Sequence, residues 1–250
     1  MILEALLYTH AVLPTLEDLL THSVEARKLL GKRNFRIRLS VPKICDTYLH
    51  FVDQKVRILN KPEEPDIHLY FKSPLDLVEL LKSKRPTLPH VAFPKKPCPQ
   101  HLHILPGLLQ TLENQLKPPH DEDSLLIHIR LLITIAYRAL PFLSKYDPKT
   151  QAILQQSPTG ILFVKIQNTK ISGWISWDGN TLSTSTKTAP PHSPDTIITF
   201  KDPLTAYHAF NEKLDTHAAI GLQKMKIEGN LPLADRISEL LERLTLFLPR

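Results

Sequence analysis

The sequence predicts an α+β protein built twice. Each half reads as a mostly antiparallel sheet of about five strands covered by helices. Three observations predict this: an internal repeat, β-type stretches joined by short turn signals, and helical apolar patterns that open and close each half. Residues 62–84, PEEPDIHLYFKSPLDLVELLKSK, align without gaps with residues 191–213, PHSPDTIITFKDPLTAYHAFNEK, and 8 of the 23 positions are identical. Chance would give roughly one or two identities in such a window, so the pattern reads as duplication.

The repeat extends outward with small gaps. Asp53 aligns with Asp178, each in a short turn between extended stretches. HILPGLLQTLENQL resembles GNLPLADRISELLERL, both with Leu-Pro ahead of a helical apolar pattern. The joint falls at Pro118-Pro119-His120-Asp121, a Pro-rich polar stretch before a new helix start. Two domains are expected, 1–119 and 120–250, each opening with a helix, near 3–30 and 123–145.

In the second half, Ile161–Asn168 and Ile171–Trp177 are strand candidates, rich in β-branched and aromatic residues. Asp178-Gly179 signals a tight hairpin whose two central residues take positive φ. Thr181–Lys187 then pairs back, and Thr196–Phe200 forms a further strand. Asp202-Pro203 starts a helix, the aspartate capping free N–H groups and the proline fitting the first turn. Ser73-Pro74 does the same in the first half. Ile220–Ile227 is expected as the last strand. The final helix begins near Pro232 with Leu233, Ile237, Leu240, Leu241, Leu244 and Phe247 on one stripe. In the first half, Arg85 to Pro106 carries six prolines, which confines it to an edge or a loop.

Composition narrows the function. Of 250 residues, only 7 are glycine, too few for a nucleotide-binding fold of Gly-rich loops. Two cysteines exclude a disulfide scaffold and suit a reducing, cytoplasmic setting. The start lacks a basic leader and carries Glu4, so no signal peptide is expected. The apolar run Leu125–Leu143 contains His128, Arg130, Arg138 and Pro141 and reads as a buried helix rather than a membrane span. No nucleophile elbow, zinc-protease motif or Walker loop occurs. No enzymatic activity, cofactor or metal is expected. Cys98, His101 and His103 offer a thiol and two imidazoles, but no fourth ligand is evident.

The stretch from Pro194 to Leu244, with Lys224-Met225-Lys226-Ile227-Glu228-Gly229-Asn230 at its centre, resembles the sterol carrier protein lipid-binding domain. That family places a strand, a short helix, a strand of the Lys-hydrophobic-Lys-Ile-x-Gly-Asn type and a final helix in this order. The resemblance covers about 90 residues of the second half and, through the repeat, extends more weakly to the first, which lacks the Lys-Ile-x-Gly-Asn stretch. It implies an apolar tunnel between sheet and helices, closed partly by the last helix, that carries a sterol, fatty acyl or isoprenoid chain without chemistry. The first half is then a degenerate copy.

Apolar residues on the inward sides of these elements are the expected lining: Phe163, Ile175, Trp177, Ile198, Phe200, Phe210, Leu222, Met225, Leu240 and Leu244. Each could equally fill a solid core. Leu240→Trp is expected to block the tunnel and leave the fold. The net charge is +6, of which residues 1–120 hold +5. Much of it sits in Arg27, Lys28, Lys32, Arg33, Arg36 and Arg38, a candidate patch for transient docking on an anionic membrane. Only Phe35 is aromatic there, so nucleic acid is not expected as a partner. The alternative function is a scaffold or accessory factor in lipid or isoprenoid-quinone biosynthesis, with no ligand of its own.

Overall fold

Strand Phe35–Ser40 (β1) alternates buried and half-exposed side chains, as a strand covered on one face must. It is the central strand of the first of two sheets in the computed structural model. The structure describes residues 2–44, 46–59, 62–81, 89–95, 97–211 and 213–248. Two units form, residues 1–118 and residues 119–250.

Unit 1 opens with helices Ile2–Leu7 (α1), Leu13–His22 (α2) and Val24–Leu30 (α3). The single helix expected over 3–30 is interrupted twice. A π-helical turn spans Tyr8–Val12, just before Pro14, which cannot donate its own helical hydrogen bond. Ser23 is extended, and its hydroxyl accepts from Ala26 N–H at 3.2 Å to cap α3. Strands Thr47–Val52 (β2), Lys55–Leu59 (β3) and Ile67–Tyr70 (β4) follow. Helix Pro74–Leu81 (α4), strand His90–Ala92 (β5) and helix Ile104–Gln115 (α5) complete the unit. Ser73 and Asp76 cap α4 reciprocally, at 2.8 and 3.2 Å. Among the described residues of the Pro-rich stretch, β5 is a three-residue edge strand and Pro99–His101 a single 3-10 turn ahead of α5; Pro86 and Lys84 lie outside the described residues.

Unit 2 repeats the order. It comprises helices Glu122–Tyr146 (α6) and Pro148–Gln155 (α7), then strands Gly160–Ile166 (β6), Ser172–Trp177 (β7), Leu182–Ser185 (β8) and Thr196–Phe200 (β9). Helices Pro203–Phe210 (α8) and Thr216–Gly221 (α9), strand Met225–Gly229 (β10) and helix Leu231–Leu244 (α10) end it. The expected strand over 220–227 is therefore shorter and later, because Asp215 caps a helix on Ala218 N–H at 3.0 Å. The turn with two positive φ values is not at Asp178-Gly179, where only Gly179 takes one, but at Asp53-Gln54.

Both sheets are mixed. Their strand orders are β3-β2-β1-β4-β5 and β8-β7-β6-β9-β10. In each, three pairings are antiparallel and one central pairing is parallel, β1 with β4 and β6 with β9. In each sheet the strand that returns beside the first strand of the meander runs in the same direction as it, which requires a crossover connection rather than a hairpin. The same device fixes both crossovers. Asp66 Oδ2 accepts from Arg36 N–H at 2.8 Å, and Asp66 N–H donates to Arg36 O at 3.0 Å. Asp195 does the same with Ile161, at 2.8 and 2.9 Å. The opening helices share Leu-Pro-x-Leu, and Leu13, Leu16, Leu140 and Leu143 are all fully buried.

Helix α6 is long and apolar enough to cross a membrane. Half of its apolar window is buried, and Ile129, Ile133, Tyr137 and Leu140 pack into the unit 2 core. Pro141 sits inside it and leaves the Tyr137 carbonyl without its helical donor. The Thr184 hydroxyl of β8 donates to that carbonyl at 2.6 Å. Thr184→Val is expected to destabilise unit 2 by about 1–2 kcal/mol, since it strands a buried acceptor. Urea denaturation followed by tryptophan fluorescence checks this, because both tryptophans, Trp174 and Trp177, lie in unit 2.

Candidate lipid-binding site

One face of the unit 2 sheet carries the core. Leu162, Val164 and Ile166 of β6 face the same way as Ile175 and Trp177 of β7 and Ile198 and Phe200 of β9. Register explains it: Leu162 lies opposite Ile175, and Val164 beside Ile198. Helices α6, α7, α8 and α10 cover this face. On α10, Leu233, Ile237 and Leu240 point inward, the stripe its 3.6-residue period dictates.

The ten apolar residues read from the sequence separate into groups. Ile175, Trp177, Ile198, Phe200 and Leu240 belong to the buried cluster, and Phe210 and Met225 are half-buried against it. Leu244 is buried at the end of α10. Two residues fall elsewhere. Leu222 lies in the turn before β10 and is 65% exposed, because the chain there is still leaving α9. Phe163 alternates with Leu162 and Val164 and so lies on the opposite sheet face, across from Trp174. Leu240 is fully buried, so an indole there would overpack the core, at a cost of about 1–3 kcal/mol. Leu240→Trp is therefore expected to strain the core as well as fill it.

The core is incompletely covered along β10. This edge strand turns Met225 and Ile227 toward the same face as Phe200 and Ile198, its register partners. Yet Phe200 and Ile198 are buried, while Met225 and Ile227 are only half-buried. Tyr207 and Phe210 of α8 are half-buried in the same cluster. The Phe210 ring meets Phe200 edge-on at 5.6 Å, and the Tyr207 ring meets His128 of α6 at 5.2 Å. Leu204 and Ile220 are exposed, and a side chain added at Gly221 would meet open space. Apolar side chains of α8, α9 and β10 thus reach water.

The Lys-Ile-x-Gly-Asn stretch has a structural role at one end of this region. Gly229 has φ +97° and ends β10. Asn230 N–H donates to Asp195 O at 3.0 Å, and the Asn230 side chain accepts from Leu233 N–H at 3.2 Å to cap α10. The stretch turns the edge strand directly into the last helix. The other end of α10 is fixed by Arg243, whose guanidinium holds Asp147 through two bonds of 3.0 Å. Asp147 also caps α7, accepting from Thr150 N–H and hydroxyl at 3.0 and 2.8 Å. Arg243 and Thr150 together hold the Asp147 carboxyl down to about 2.

The first-half candidates have other occupations. Arg27 donates to the carbonyls of Leu20 and Thr21, and Arg33 to that of Leu29, closing helix ends. Arg36 pairs with Glu63 at 3.1 Å, and Arg38 with Asp46. Of the six expected membrane contacts, Arg27 and Lys28 lie on α3, Lys32 and Arg33 in the link that follows it, and Arg36 and Arg38 on β1. The Cys98 thiol donates to Asp66 O at 3.7 Å, and burial pushes its pKa up, away from a metal-binding thiolate. The His101 ring stacks on Phe35 at 4.7 Å. Among the described residues, no group of three or more His, Cys, Asp or Glu is placed to hold a metal.

Each unit is thus a five-stranded mixed sheet with apolar helices against one face. No protein-family profile matches the chain, and no curated protein matches it. Several solved structures are similar to about half of it. The sterol carrier protein domain 2 of Helicoverpa armigera is 18% identical, with a TM-score of 0.35, over 48% of this chain and 92% of that one. A ubiquinone synthesis protein, UbiJ-SCP2, is 13% identical, with a TM-score of 0.34, over 46% and 90%. Sterol carrier protein 2 from Yarrowia lipolytica, in its apo form, is 15% identical, with a TM-score of 0.34, over 44% and 88%.

Proposed function

We propose that unit 2 binds and carries an apolar chain, without catalysis, between its sheet and its helices. The observation that carries this reading is the half-exposed inner face of β10. Met225 and Ile227 face the core but are not closed over, and aromatic side chains of α8 border them. Entry there would remove apolar surface of both ligand and protein from water. Each buried CH₂ contributes about 0.8 kcal/mol, so a long chain needs no charged anchor. The Met225 thioether adapts to the shape of such a chain. The sequence resemblance centred on Lys224–Asn230 supports the same ligand class, a sterol, fatty acyl or isoprenoid chain. The setting proposed is the reducing cytoplasm.

We read the two units as copies of one ancestral domain, with unit 1 as the diverged one. The shared strand order, the paired Asp66 and Asp195 locks and the shared Leu-Pro-x-Leu support this. Proteolytic separation at the 118–121 joint is expected to give two independently folded fragments.

The test is native mass spectrometry of the full chain, with lipid extraction of the same sample. A co-purifying apolar mass lost on denaturation is expected. The paired variant is Phe210→Asp, which puts a charge at the half-buried rim. It is expected to abolish uptake of a fluorescent fatty acid and to leave the far-UV spectrum unchanged. A clean apo mass with no uptake of fatty acid or sterol by the unmodified protein would overturn the carrier reading and favour a ligand-free scaffold.

A further inference from the structure

The outer face of the unit 1 sheet, away from its buried residues, gathers side chains that are far apart in sequence. Register builds it in rows. Arg36 lies opposite His50, and His50 opposite Arg57. In the next row Arg38 lies opposite Tyr48 on one side and beside His68 on the other. In the third, Tyr70 lies opposite His90. These side chains alternate with the buried Ile37, Leu49 and Ile67, so they share one face, and all are half-exposed or exposed. The Arg38 guanidinium sits 5.7 Å from the centre of the Tyr48 ring, and the Tyr70 and His90 rings are 6.5 Å apart.

We propose that this face is a binding surface for single-stranded nucleic acid. Two features point to that occupant. The first is charge: a cation at each end of the Arg36–His50–Arg57 row is unfavourable without an anion nearby; Glu63 pairs with Arg36 and Asp46 with Arg38, and among the described residues no ion pair reaches Arg57. The second is flatness. Five rings interleave with three guanidinium groups, and planar groups stack on bases. A bilayer surface is read mainly through clustered lysine and arginine charge, whereas here rings outnumber the cations. His68 adds a neutral ring: burial and the neighbouring Arg38 lower its pKa, and its Nε2 lies 2.7 Å from the Ser40 hydroxyl. The equivalent face of unit 2 differs in having no arginine on its strands: Ser172, Ser176, Ser183 and Ser185 of β7 and β8 stand there with Phe163 and Trp174. The stretch around residues 27–38 alone hides this surface, because its one aromatic, Phe35, is buried. The inference is independent of the ligand proposed for unit 2.

Fluorescence anisotropy of a labelled 12-nucleotide oligouridine with the full chain tests it. Binding at 50 mM salt is expected, weakening as salt rises, because arginine contacts to a single strand's phosphates release counterions. Arg57→Glu and Tyr70→Ala, both at exposed positions, are each expected to weaken binding at least tenfold. Lys226→Glu, on the outer face of unit 2, is expected to leave it unchanged. No binding by the unmodified protein overturns the inference, as does equal binding by Arg57→Glu and Tyr70→Ala. Co-sedimentation with phosphatidylserine vesicles that is lost in those two variants, without oligouridine binding, would replace it with an anionic bilayer.

Discussion

Gly229→Ala is expected to unfold unit 2 or to cost it roughly 3 kcal/mol or more. A Cβ at this position would lie 1.9 Å from the Asp195 carbonyl oxygen and 3.2 Å from Thr196 Cα. Both belong to backbone that cannot swing aside, because Asp195 is fixed to Ile161 in both directions and to Asn230 N–H. The backbone angle of +97° adds its own strain for any residue with a side chain. The loss would spread, since Gly229 joins β10 to α10 and α10 supplies Leu233, Ile237 and Leu240 to the core. Tryptophan fluorescence in urea measures it, as both tryptophans report on unit 2. A midpoint within 0.3 M of the unmodified protein would show that the edge strand can detach without loss, and would count against the close approach described.

Arg243→Met is expected to cost about 3 kcal/mol at pH 7, and the cost should shrink in acid. Asp147 is 4% exposed, and removing its partner leaves a buried carboxylate held only by Thr150. Breaking such a pair from one side typically costs about 3–5 kcal/mol, and the exposed edge of Arg243 favours the lower end. The pH dependence follows from the carboxyl. Its folded value is about 2 against 3.8 for the free group. A depressed carboxylate contributes stability above its unfolded value and loses it as pH falls through the folded value. That contribution is about 2 kcal/mol, present above pH 4 and lost between about pH 4 and pH 2. The unmodified protein should therefore lose stability through this window. Arg243→Met should lose less, so the two curves converge. Parallel curves from pH 7 to pH 2.5 would show that the pair contributes nothing that depends on ionisation.

Much of this architecture is legible in the residues because the signals are local. Ser73-Pro74 and Asp202-Pro203 start helices because an oxygen acceptor and a fixed φ act within one turn. The stripe of α10 is visible because burial imposes a 3.6-residue period. The repeat exposes Asp66 and Asp195 as equivalents. The same logic passes over Asp147-Pro148, which carries the start signal of Asp202-Pro203 and opens α7, because the apolar run before it draws the eye to one long helix. Leu222 misleads for the opposite reason. Its neighbours alternate like a strand, but Asp215 caps a helix that runs to Gly221 and leaves Leu222 in the turn.

The sequence by itself determined the order of the strands, the caps at Ser73 and Asp202 and the apolar stripe of α10, all set by contacts within a few residues of chain. Only the tertiary structure decided which residues meet across strands. It placed Phe163 on the face away from the helices, left Met225 and Ile227 half-closed at an edge, and brought Arg36, His50 and Arg57 into one row. Those outcomes depend on register and on which strand is an edge, and register is fixed by pairings between segments far apart along the chain.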